Sequence, residues 1–98
     1  MATSKPILRI ELSAEFRKAI RALSKGQRRH VGQVLNGIQA GFGQPHSHSG
    51  LGIRRLRKNY FECRAGLKLR LVFRGERGVL TFTAAGDHDE IHRLLKSL

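Results

Sequence analysis

Between Tyr60 and Arg74 the chain alternates apolar and charged side chains, and the charged set holds one carboxylate, Glu62, among the cations Arg64, Lys68, Arg70 and Arg74. Successive side chains of a strand point to opposite faces. Phe61, Cys63 and Ala65 therefore share a face with Leu67, Leu69, Leu71 and Phe73, and the charged residues take the other. Arg55 and Arg57 from a preceding strand border that charged face, and Thr81 and Thr83 from a following strand join it. A carboxylate can accept a proton, and a guanidinium can hold two phosphate oxygens at once. The pattern has two readings: a site for a phosphodiester, or a solvated sheet face laced with cross-strand ion pairs.

Histidines add proton-transfer chemistry near neutral pH. His88 falls where the last strand runs into a helix, from which a side chain can reach over the charged face. Its plain reading is a residue of the capping region. His30 lies beside Arg28 and Arg29 on a helix surface, and His46 and His48 lie in a polar loop. His88 and His92 have the spacing of a zinc hydrolase pair. The residue after the first histidine is Asp89, however, with Glu90 one place late for that motif, and Ile91 is a core position, so no metal site is assigned. Cys63 shares the apolar face with Phe61 and reads as a small buried hydrophobe. No phosphate-binding glycine loop and no serine-hydrolase signature occur.

The elements that position these residues follow from periodicity. Residues 7–12 form a first strand. Ser13 is a helix N-cap with Glu15 in the first turn, and Phe16, Ile20 and Leu23 form the apolar stripe of a helix that ends near 24–26. A second helix covers roughly 27–40, with Val31, Val34, Leu35 and Ile38 on its buried face and Gly41 and Gly43 closing it. Residues 44–50 are a polar loop. Four short strands follow at 53–57, 60–65, 67–74 and 79–85, broken at Lys58-Asn59, Gly66 and Gly75 to Gly78. Asp87 and Glu90 make a capping pair for a short C-terminal helix, whose Ile91, Leu94, Leu95 and Leu98 face the core. The order predicts one α+β domain over 1–98, with helices packed on one face of a mainly antiparallel sheet. Leu8, Ile10, Phe16, Ile20, Val34, Leu35, Ile38, Leu69, Leu71 and Phe73 are its expected core.

A formal charge of +12 on 98 residues is self-repelling and calls for a polyanionic partner, a nucleic-acid backbone or an acidic protein. With one cysteine no internal disulfide exists, and neither a signal peptide nor a long apolar run occurs, which points to the cytoplasm and away from the membrane.

The order of elements, with Tyr60-Phe61-Glu62-Cys63-Arg64, Leu69-Arg70-Leu71-Val72-Phe73 and Ala85-Gly86-Asp87-His88-Asp89-Glu90-Ile91, resembles the RelE/ParE superfamily, the toxins of prokaryotic type II toxin–antitoxin modules. The resemblance covers essentially the whole chain. It implies an N-terminal strand and helical hairpin on a mainly antiparallel sheet. It also implies a toxin that cuts messenger RNA on the ribosome without metal or cofactor, and that is held in check by a cognate antitoxin. Carried over by position, Arg64 and Arg70 hold the phosphate with Lys68 assisting, and Glu62 or His88 transfers protons. Glu62, Arg64, Arg70 and His88 form the catalytic set; His46, His48, Arg54, Arg55, Arg57, Lys68, Arg74 and Asp87 form the RNA-binding set. His46 and His88 are similar to histidines of the YafQ-like branch. That branch has a histidine and an aspartate near Arg64 and Lys68, and many members have a tyrosine at Phe73. Two other functions fit the same resemblance and charge: a ParE-like poison of DNA gyrase, and a basic RNA-binding module without catalysis.

Overall fold

The computed structural model describes residues 8–42 and 52–97. β1 (Arg9–Leu12) leads into α1 (Ala14–Arg21) and α2 (Lys25–Gly41), followed by β2 (Arg54–Arg57), β3 (Tyr60–Arg64), β4 (Arg70–Glu76), β5 (Val79–Gly86) and α3 (His88–Leu95). The strands make one sheet in the order β1-β5-β4-β3-β2, with β1 parallel to β5 and the other pairs antiparallel. The α+β architecture with a mainly antiparallel sheet is as expected.

Local chemistry sets the helix starts. The Ser13 hydroxyl accepts from the Phe16 amide at 3.1 Å, capping α1. Ser24 and Gln27 cap α2 reciprocally: the Ser24 hydroxyl accepts from Gln27 N, and the Gln27 side chain accepts from Ser24 N. This capping box starts α2 at Lys25, ahead of the expected position 27. Gly41 is the last residue of the helix and is buried, and Phe42 takes the cap position. Gly43 lies outside the described residues.

Both boundaries of β4 differ from the sequence reading by two residues or more. The amide of Ala65 donates to the Leu69 carbonyl at 2.9 Å, closing a turn over 65–69, so β4 starts at Arg70. Leu67, expected on the apolar face, is instead fully exposed at 102%, and Lys68 stands in the turn, off the sheet face. At its other end β4 continues through Gly75 and Glu76, which pair with Leu80 and Val79. The turn is only Arg77-Gly78, with φ of 50° and 79°. Positive φ at both central residues gives the twist that two-residue hairpins favour, at least strain where glycine is present.

The core lies between the sheet and the α1–α2 hairpin. Phe16, Val34, Ile38, Leu69, Leu71 and Phe73 are buried in it, with Leu8, Ile10, Ile20 and Leu35 packed at its margin, so all ten expected core residues take part. Phe73 stacks on Phe82 at 4.8 Å and on Phe61 at 5.5 Å.

α3 departs from the expectation that all helices share one face. Val72 pairs with Glu62 across β3–β4, so it belongs to the charged face, yet it is 0% exposed. Neither Val72 nor the buried Ile91 joins the main core cluster. α3 packs on β5 and β4, and Arg57, at the far edge of the sheet, donates to the Leu95 carbonyl at 3.3 Å. The C-terminal helix thus packs on the charged face, the side on which Val72 is buried. A bulge permits this: Val72 pairs with Ala84 and Phe73 with Phe82, leaving Thr83 as the extra residue. Phe82 and Ala85 can then both pack toward the hairpin, while Ala84 turns to the α3 side.

Candidate active site

The charged face is organised around Glu62, whose side chain is 3% exposed. Its two oxygens are divided between two strands. Arg54 Nη2 on β2 donates to Oε1 at 2.7 Å, and Arg70 Nη1 on β4 donates to Oε2 at 3.3 Å. Three neighbouring strands therefore contribute one cation, the carboxylate and the other cation. Such charge-assisted contacts fix side-chain orientation as well as adding energy. With both oxygens engaged, Glu62 is built to orient guanidiniums.

Arg64 and Arg70 stand directly opposite each other in the β3–β4 ladder. The Ala65–Leu69 bond makes 65 and 69 a hydrogen-bonded pair, so by ladder alternation 64 and 70 are the close, non-hydrogen-bonded kind, with Cα atoms about 4.5 Å apart. Like charges at such positions repel. Glu62 offsets Arg70, while Arg64 is exposed and has no ion pair among the described residues. Gly52, at φ +68°, makes room for the Arg64 stem: a Cβ there would lie 3.2 Å from Arg64 Cγ. Two adjacent guanidiniums, one oriented by a buried carboxylate and one uncompensated, form a place for an anion.

His88 is the first residue of α3 and is exposed. Gly86 pairs with Arg70 across β4–β5 and His88 follows two residues later, so the start of α3 stands at the same end of the sheet as Arg70 and Arg64. The expected capping pair is present: the Asp87 carboxylate accepts from Glu90 N at 2.8 Å, and the Glu90 side chain accepts from Asp87 N at 3.0 Å. Asp87 is thereby committed to the helix start, which argues against its assignment to RNA binding. The His92 ring lies parallel to that of His88, with centroids 6.2 Å apart.

The remaining expected residues divide. Arg54 joins the site through Glu62, and Arg74, opposite Thr81 and Tyr60, lies on the charged face two residues along β4 from Val72. Arg57 is on that face but reaches the C-terminus of α3, where a cation suits the helix dipole. Arg55 pairs with Phe61, so it sits on the opposite face, and its Nε donates to the Lys58 carbonyl at 2.6 Å. It does not border the site, because β2 pairs with β3 in a register that turns 54, not 55, toward Glu62. Lys68 lines a groove with Gly86, Asp87 and Glu90 where β5 runs into α3. His46 and His48 lie outside the described residues. Cys63 faces the main core, where burial, with a smaller push from Glu62, raises its thiol from the usual 9.0 to about 12. Phe73 likewise faces the α1–α2 hairpin, away from the cations. Among the described residues no group of three or more His, Cys, Asp or Glu is placed to hold a metal ion, and no helix is long and apolar enough to cross a membrane.

A five-stranded mixed sheet with a helical hairpin on one face and a short C-terminal helix is the fold of the RelE/ParE-like toxins. Solved structures bear this out. The archaeal RelE–RelB complex of Pyrococcus horikoshii OT3 superposes with a TM-score of 0.68 at 14% identity, covering 83% of this chain and 94% of the other. The DinJ–YafQ complex of E. coli gives 0.58 at 19% identity, covering 84% and 94%. The YoeB–YefM complex of Staphylococcus aureus gives 0.58 at 19%, covering 83% and 97%. This chain has the RelE/ParE fold. No family model and no curated protein matches its sequence.

Proposed function

We propose that this chain is the toxin of a toxin–antitoxin pair and cuts messenger RNA on the ribosome, in the cytoplasm of a prokaryote. The observation that carries the reading is the juxtaposition of Arg64 and Arg70 on one sheet face, with Glu62 buried against Arg70 and His88 at the adjoining strand end. Cleavage of RNA through its 2′-hydroxyl needs proton transfer and stabilisation of a phosphorane. Arg64 and Arg70 take the phosphate oxygens. The His88 imidazole takes the 2′-hydroxyl proton as that oxygen attacks phosphorus and returns it to the departing 5′-oxygen, leaving a 2′,3′-cyclic phosphate and a 5′-hydroxyl. Glu62 holds Arg70 and Arg54 in place, leaving His88 the proton-transfer role that the sequence divided between the two. The guanidiniums supply the positive charge, so the scheme requires no metal or cofactor. Arg54, Lys68 and Arg74 meet the neighbouring backbone, with His46 and His48 assigned to the same task.

The fold likeness to chains solved with RelB, YefM and DinJ supports an antitoxin partner here, and a formal charge of +12 calls for an acidic one. Induced expression followed by primer extension on translated messages tests the proposal. Wild type should give codon-boundary cuts. Arg70→Ala and His88→Ala should each lose about 10²- to 10⁴-fold in cleavage while still folding and binding the antitoxin. Translation that continues while DNA replication stops would instead establish the gyrase reading.

A further inference from the structure

The sequence sets His88 and His92 one helical turn apart, and the structure leaves both exposed on the same side of α3, with rings 19° from parallel and centroids 6.2 Å apart. We propose that this pair is a two-histidine site for a borderline divalent transition-metal ion such as Cu²⁺, Ni²⁺ or Zn²⁺. Imidazole nitrogens suit these ions, in the order that places Cu²⁺ highest. Metal–nitrogen bonds of about 2.0–2.1 Å bring two ligating nitrogens to roughly 3 Å of each other. Side chains four apart on a helix have Cβ atoms about 5–6 Å apart, so modest rotation of two exposed rings closes that gap without moving the backbone. Neither ring has a hydrogen bond or ion pair among the described residues to give up. Ile91 and the Asp87–Glu90 capping box hold the helix in place, so the two ligands are held by an already formed scaffold.

No third His, Cys, Asp or Glu among the described residues joins them. Water fills the other coordination positions, and the ion exchanges readily. This distinguishes the site from a closed structural zinc centre. Resting on the reading of His88 as the proton-transfer group, an ion held there removes the free imidazole and silences cleavage reversibly. Metal binding itself does not depend on that reading.

The test is a titration of the full chain with Cu²⁺ at neutral pH, followed by the visible absorption of the bound ion and by calorimetry. Wild type is expected to take up one ion in the micromolar range. His92→Gln, an exposed substitution that keeps the fold, is expected to bind on the order of 10²-fold more weakly, because a two-point attachment becomes a single one. The double variant His46→Gln, His48→Gln is expected to bind like wild type. Equal affinity in wild type and His92→Gln, no uptake by wild type, or loss of uptake in the loop variant would each overturn the site. A chain that binds Cu²⁺ through His92 yet cuts no RNA would retain the metal site and remove only the nuclease reading.

Discussion

Arg70 Nη1 donates across 3.3 Å to Oε2 of Glu62, a carboxylate whose other oxygen is held at 2.7 Å by Arg54. Glu62 is the one charged residue buried among those described, at 2% exposure. Its partners are less enclosed, Arg70 at 26% and Arg54 at 66% of their side chains, so solvent offsets part of the loss when it is removed. Glu62→Gln is expected to lower stability by roughly 1–3 kcal/mol in urea unfolding. The same variant should lose RNA cleavage through misdirected guanidiniums. Were Glu62 the proton acceptor, its replacement would abolish the pH dependence of the reaction. As an orienting group it should lower the rate at every pH and leave the profile in place.

The uncompensated Arg64 gives a prediction about salt. Affinity for single-stranded RNA should fall linearly in logarithm with the logarithm of salt, since each neutralised phosphate releases counterions. Arg64→Ala should flatten that slope by about 0.7. Arg55→Ala, on the opposite face, should leave it nearly unchanged. Filter binding over a range of salt concentrations checks both.

Cys63 gives a prediction about pH. Its folded-state value of about 12 is raised above the ordinary 9.0. Above pH 9.0 the unfolded chain releases this proton and the folded chain keeps it, so the folded state binds more protons and stability falls as pH rises from 9.0 toward 12. The loss is of order a few kcal/mol across that window. Comparing urea midpoints of wild type and Cys63→Ala isolates it from lysine and tyrosine titration: the fall should be shallower in the variant. The native thiol should also resist thiol reagents at neutral pH, because the thiolate is the reactive form.

Phe73 is 0% exposed and touches the rings of Phe42, Phe61 and Phe82. Phe73→Ala is expected to cost about 3–5 kcal/mol, measurable in thermal or urea unfolding. On a domain of this size that is a large part of the total stability.

The sequence by itself determined the parts of this protein that depend on near neighbours along the chain. Alternation from Tyr60 to Arg74 separated Phe61, Cys63, Leu71 and Phe73 from Glu62, Arg64 and Arg70 because a strand has a period of two, and that separation survived folding intact. Ser13 and Asp87 are caps because a short polar side chain can satisfy amides two or three residues ahead. What required the tertiary structure was every choice made between distant segments. Helical spacing marked Ile91 as buried, but spacing along a helix carries no information about which side of a sheet the helix will cover. Only the packed fold shows α3 on the side where Val72 is buried. Likewise the register of β2 on β3, with Arg54 opposite Glu62, turned Arg55 to the far face, and the turn closed by Ala65 and Leu69 removed Lys68 from the strand. Register and layering are decided by burial and hydrogen bonding summed over the whole sheet, where a one-residue slip reverses every side chain. No single strand contains that sum.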